Sequence, residues 1–199
     1  KRISIWNNFV KSNFFNILFV SVHYSKRYSG AENYLMKQSQ DLKNKVNYLK
    51  DRNKNIIMSE FKQAYFKEAT ESTLTQEEVW FLWKLFCEGK NIPLVVKKAD
   101  IINEMGDLKK VTSDYLIGIR HFRNFWEDTV EMNASGLGEY EVSEINELFT
   151  IWLNGNKENT VNEYQLLNII SHFYPLIKIS GKNLLNINCI NYLNYLLKL

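Results

Sequence analysis

The chain has 199 residues, of which 45 % are hydrophobic and 24 % charged, with a formal net charge of +3 and two cysteines. That composition excludes a disordered chain and a disulfide-stapled one, and it supplies apolar surface for one large or two small cores. Five Trp, 11 Tyr and 12 Phe set against only two Pro and eight Gly favour helices over turns.

In chain order, Ile3–Tyr24 reads as a helix with Trp6, Phe9, Val10, Ile17 and Val20 or Ser21 on one side, interrupted by the loop "SKRYSG". Its apolar run, Phe14–Val22, is far shorter than the roughly 20 residues of a membrane span. Ala31–Lys37 and Asp41–Leu49 read as shorter helices, and residues 51–55 as a polar turn. Asn55–Ala69 carries Ile57, Phe61, Ala64 and Tyr65 at helical spacing. Thr75 with Glu78 forms a capping box ahead of an apolar face of Val79, Leu82, Trp83, Phe86 and Cys87, stopped by Gly89. Lys97–Met105 with Gly106 behind it is a short helix, and Ser113 is positioned to cap another that turns Ile119, Phe122, Phe125 and Trp126 inward.

"NASGLG" (Asn133–Gly138) is the best linker candidate in the chain. Beyond it, Ser143 precedes a helix with Ile145, Leu148, Phe149 and Trp152 inward, closed by Gly155. Thr160 and Glu163 suggest a second capping box, starting a helix with Tyr164, Leu167, Ile170 and Phe173 or Tyr174 inward. Pro175 then breaks the chain; Ile177 and Ile179 alternate, "SGKN" offers a turn, and Leu185, Ile187 and Cys189 alternate again. A last helix is expected from Asn191 onward. The expected fold is mostly α: a helical domain over 1–133, basic across its N-terminal residues 1–70, and a winged-helix-like unit over 139–199. That unit has helices at about 143–153 and 161–173 and a short β-hairpin at about 177–189.

Charge is unevenly spread. Residues 1–70 hold 13 basic residues against five acidic ones, whereas residues 127–163 hold nine acids and one base, Lys157. A polyanion would meet the N-terminal region first. There "HYSKRYSG" sets Lys26 and Arg27 between Tyr24 and Tyr28, the mixture of cations and stacking rings that single strands favour; a solvated Ser/Gly loop is the plainer reading. The hairpin carries Lys178 and Lys182. The helix before it exposes Asn162, Glu163, Gln165, Asn168 and His172 and has no Lys or Arg, which argues against duplex reading because phosphate neutralisation dominates such affinity. Glu139, Glu141, Glu144 and Glu147 read as a solvated cluster favoured by a helix N-terminus, with a protein-docking patch as the functional alternative.

No catalytic constellation can be assembled. "SGKN" lacks the upstream glycine and the following Ser/Thr of a phosphate loop. His23, His121 and His172 are scattered, so no metal is expected, and neither is a cofactor. Cys87 and Cys189 read as buried thiols of an intracellular protein. No signal peptide is visible, and Lys at position 1 suggests a piece of a longer chain or a processed product.

The motifs "HYSKRYSG…ENYL", "VWFLWKLF", "FRNFWEDT", "EYEVSEINELFTIW" and "IISHFYP" followed by "NINC" resemble, in that order, the region downstream of the ATPase core in primase–helicase-like replication proteins of giant DNA viruses. The resemblance implies a superfamily 3 (AAA+) helicase as parent, with its phosphate loop, acidic metal ligands and arginine finger outside this chain. No residue here matches those motifs. The implied role is a non-catalytic accessory region, at host cytoplasm or viral replication sites, meeting single- or double-stranded DNA, neighbouring subunits or protein partners, and no membrane. The alternative is a purely structural helical scaffold or protein-interaction module with no nucleic-acid role.

Overall fold

The computed structural model describes residues 2–94, 96–132, 138–154 and 161–190. These residues are mostly helical, with a few short antiparallel strands. They fall into two compact units: Lys1–Ile57 with Cys87–Val95, and Met58–Phe86 with Val96–Leu199. The expected boundary at 133–139 lies within the second unit.

The first unit contains α1 (Arg2–Ser12), α2 (Phe14–Tyr28), α3 (Ala31–Met36) and α4 (Gln40–Lys50). The single helix expected over Ile3–Tyr24 is broken at Asn13, whose side-chain amide donates to the Phe9 carbonyl (3.0 Å). Beyond the break α2 continues through the predicted loop to Tyr28, and Ser29 ends it with a left-handed φ of 57°. The inward stripe expected of the first segment is absent at its described side chains: Phe9, Val10, Ile17 and Val20 are all exposed. The cause is composition, since α2 is apolar on nearly every side and one neighbour cannot cover it. Three tyrosines join α2 to α3 instead, and Ser39 caps α4 by accepting from the Leu42 N–H.

α5 (Lys54–Tyr65) and α6 (Gln76–Gly89) each straddle the division between the units. Where Asn55–Ala69 was expected to stay helical, α5 stops at Tyr65 and Lys67–Glu68 becomes strand β1. Strand β1 pairs with β2 (Val111–Thr112), which follows α7 (Lys98–Met105) and a 3₁₀ turn at Leu108–Lys110. α8 (Leu116–Thr129) buries Ile119, Phe122, Phe125 and Trp126, as its spacing predicts. Phe61 meets Trp83 edge-on, with centroids 5.1 Å apart, and Phe149 stands perpendicular to Phe122 at 5.3 Å. Both geometries are favoured by the ring quadrupole.

β3 (Val130–Met132) leads to 133–137, most of the proposed linker and outside the described residues. Gly138 follows, then β4 (Glu139–Glu141), α9 (Val142–Trp152), α10 (Glu163–Phe173), β5 (Lys178–Ser180), β6 (Asn183–Leu185) and β7 (Ile187–Cys189). Gly155, Thr160 and the helix expected from Asn191 also lie outside the described residues. The working cap of α10 is Asn162 with Gln165, each side chain bonding the other's backbone N–H at 2.9 Å. From that start the buried stripe is Leu166, Ile169 and Ile170, whereas Tyr164, expected inward, is exposed.

β5 and β6 form the expected hairpin, turned at Gly181 (φ 62°). The sheet order is β4-β6-β5, all antiparallel. Leu185 to Cys189 is not one continuous arm. Asn186 adopts a left-handed φ of 63°, which redirects the chain so that β7 leaves the hairpin and pairs with β3.

Candidate nucleic-acid interface

Lys26 and Arg27 lie in the last turn of α2, where cations suit the helix dipole, and both are exposed. The tyrosines beside them are engaged. Tyr24 stacks on Tyr28 at 6.1 Å, and Tyr34 of α3 meets both rings edge-on. Arg27 lies 5.5 Å and Lys37 5.3 Å from the Tyr28 ring centre. The rings therefore serve the α2–α3 junction and the Arg27 cation. What this site offers a strand is cationic charge beside the exposed part of the Tyr24 ring, with Tyr28 half-buried.

On the hairpin, Lys182 pairs with Glu163 of α10 at 3.2 Å, which neutralises half of the expected wing charge. Lys178 is exposed and has no ion-pair partner among the described residues. α10 itself exposes Asn162, Tyr164, Gln165 and Ser171, but two residues expected outside face inward. Asn168 is half-buried, and the His172 side chain is only 5 % exposed. Of the acids, Glu141 and Glu144 form the capping box of α9, with Glu144 accepting from the Glu141 N–H (2.7 Å), whereas Glu139 accepts across the sheet from the Asn183 amide (2.6 Å).

His172 sits in a defined network. Its Nε2–H donates to the Glu77 carbonyl (3.2 Å), and its Nδ1, 3.0 Å away, accepts from the Lys84 ammonium. Burial first, and the Lys84 charge second, hold its pKa below the ordinary 6.5; the Glu77 carbonyl and carboxylate oppose them, and the more distant Lys98 adds a little. As pH falls below about 6.5 the unfolded chain takes up its proton first, so this share of the stability is lost on acidification. Urea unfolding at pH 7.5 and 5.5 should show a drop that His172→Gln abolishes.

A second network lies at the capping box before α6. Glu78 is 2 % exposed; it accepts from the Thr75 N–H (2.8 Å) and from Arg120 Nε (2.7 Å) and Nη2 (3.0 Å), while Arg123 stands 3.9 Å away. Burial is the strongest single influence and raises its pKa, but the Arg120 and Thr75 hydrogen bonds together prevail and hold it below 4.5. The cap is legible in the sequence, whereas Arg120 is not, because its partner lies far away in the chain. Burial pushes both Cys87 and Cys189 up to about 12, so neither thiol is poised as a nucleophile.

Among the described residues no group of three or more His, Cys, Asp or Glu could hold a metal ion, and no helix is long and apolar enough to cross a membrane. No protein-family model matches the chain, and no curated protein or solved structure matches it.

Proposed function

We propose that residues 139–190, with α8 ahead of them, form a winged helix that works by protein contact, within an accessory region of a primase–helicase-like viral replication protein whose basic N-terminal region meets nucleic acid. The observation that carries the fold reading is the sheet order β4-β6-β5 with α9 and α10 between β4 and β5. That is strand, helix, helix, strand, strand, with the last two strands forming the wing and α8 ahead of them as the first helix. The functional reading rests on charge. A helix that reads a duplex presents cations to it, and α10 has none, while Lys182 is tied to Glu163. An acidic winged helix suits a protein surface, and Lys26 and Arg27 remain for phosphates.

Titration of the chain with labelled single- and double-stranded DNA at two salt concentrations tests this. Binding should fall with salt, and Lys26→Ala with Arg27→Ala should reduce the logarithmic salt slope by about 1.5, the loss of two phosphate contacts. Lys178→Ala with Lys182→Ala should leave it unchanged. An unaltered slope in the first pair, or a reduced slope in the second, overturns the assignment of surfaces. No binding at low salt leaves the helical scaffold.

A further inference from the structure

Within the second unit, the segment 70–73 that follows β1, the 3₁₀ turn, β2 and α8 line an open cleft of about 610 Å³. Its wall carries four hydroxyls, from Thr70, Ser72, Thr73 and Thr112, and two cations, Lys109 and Arg120. Among the described residues no aromatic or aliphatic side chain lines it. Small-molecule clefts are mostly apolar, so one lined by hydroxyl donors and cations suits an oxyanion. We propose that this cleft binds a phosphate group, carried by a nucleotide-sized ligand or by a nucleic-acid strand.

The donors are prearranged. Arg120 is fastened through Nε and Nη2 to the buried Glu78, which Thr75 holds in turn, so the guanidinium plane is fixed before a ligand arrives. Its remaining N–H groups are available to the cleft it lines. The Ser72 hydroxyl accepts from the Leu74 N–H (3.2 Å), which leaves its proton to donate. Ala69 N–H donates to the Lys110 carbonyl (2.9 Å), holding the Thr70 side of the cleft against the 3₁₀ turn. Asp107 caps that turn by accepting from the Lys109 N–H (3.1 Å), yet the Lys109 ammonium has no ion-pair partner among the described residues. Lys109 is therefore the charge that a phosphate would neutralise.

Glu71 is the one acid on the wall among the described residues, and it gives the proposal a signature of opposite sign. With no ring in the lining, the ligand is recognised through phosphate and not through a base. Neither Lys26 nor Arg27 belongs to this cleft, so the cleft and the N-terminal site are tested by different variants.

The test follows backbone amide NMR shifts of residues 70–73 and 109–112 while the whole chain is titrated with pyrophosphate, AMP, adenosine or an eight-nucleotide deoxythymidine strand. Saturable shifts are expected with the phosphate-bearing probes and none with adenosine. Lys109→Ala should weaken binding about fivefold, and Glu71→Gln should tighten it about twofold to threefold. Neither variant touches the Glu78–Arg120 pair, so both should fold. Arg120→Lys should also weaken binding, because an ammonium cannot reproduce the fork. Saturation by pyrophosphate and AMP but not by the strand identifies a free ligand; saturation by the strand alone identifies a phosphodiester. Absence of saturable shifts with every probe at 10 mM, equal shifts with adenosine, or identical affinities in the Lys109 and Glu71 variants overturns the proposal.

Discussion

Arg120→Leu is expected to destabilise the second unit by about 3 kcal/mol, lowering its melting temperature by about 10 °C at pH 7. The loss arises on the other side of the pair. Glu78 is almost wholly buried, and without the guanidinium its carboxylate keeps only the Thr75 cap and the more distant Arg123. The wild-type carboxyl titrates below its unfolded value of 4.5, so its contribution is complete above that pH and disappears as pH falls through the folded value. In the variant, burial is no longer outweighed and the folded pKa rises. The difference between the two proteins should therefore shrink on acidification, and urea midpoints at pH 7 and pH 4 measure it. An equal difference at both pH values would show that Arg120 is not what keeps the carboxylate ionised.

Gly138→Ala is expected to cost at least about 3 kcal/mol, because a methyl group there has nowhere to go. An added Cβ would lie 1.6 Å from the carbonyl oxygen of Ile187 and 2.8 Å from its carbon. Both are backbone atoms and cannot swing aside. The same glycine's carbonyl accepts from the Asn186 N–H at 2.7 Å, at the residue whose left-handed turn separates β6 from β7. Relief of the clash would disturb both the β4–β6 and β3–β7 ladders, and hydrogen exchange should show Tyr140 of the first and Asn188 of the second losing protection together. Gly89→Ala is the control: nothing lies within 4 Å of its added carbon, and a change below about 1 kcal/mol is expected.

Gly138 also marks where the sequence stops being legible. Read along the chain it belongs to a linker candidate; in space it is wedged against a strand that lies far downstream. Features set by residues three or four apart were readable. The Thr75–Glu78 box, the inward face of α8 and the β5–β6 turn all follow from local spacing. The start of α10 shows how little separates a correct helix from a misplaced face. The helix is where its spacing puts it, but its cap is Asn162, and packing buries Leu166, Ile169 and Ile170 and leaves Tyr164 outward. Pairings across the chain left no local trace: β7 alternates like a hairpin arm, yet its partner is β3. The candidate sites divide in the same way. Lys26 and Arg27 stand out because they are adjacent, whereas Lys109 and Arg120 come from a 3₁₀ turn and a helix that only the fold gathers around one cleft.

The β3–β7 ladder also fixes the order of events during synthesis. Val130–Met132 leaves the ribosome directly behind the aromatic face of α8, but its partner, Ile187–Cys189, emerges only after both helices and the hairpin. Until then the edge of β3 has nothing to pair with, and the nascent chain carries an open strand beside Phe122, Phe125 and Trp126. Pairings this distant slow folding, because the loop must close before either ladder forms. A chain halted before residue 187 should be held by chaperones or aggregate, whereas the full chain should not.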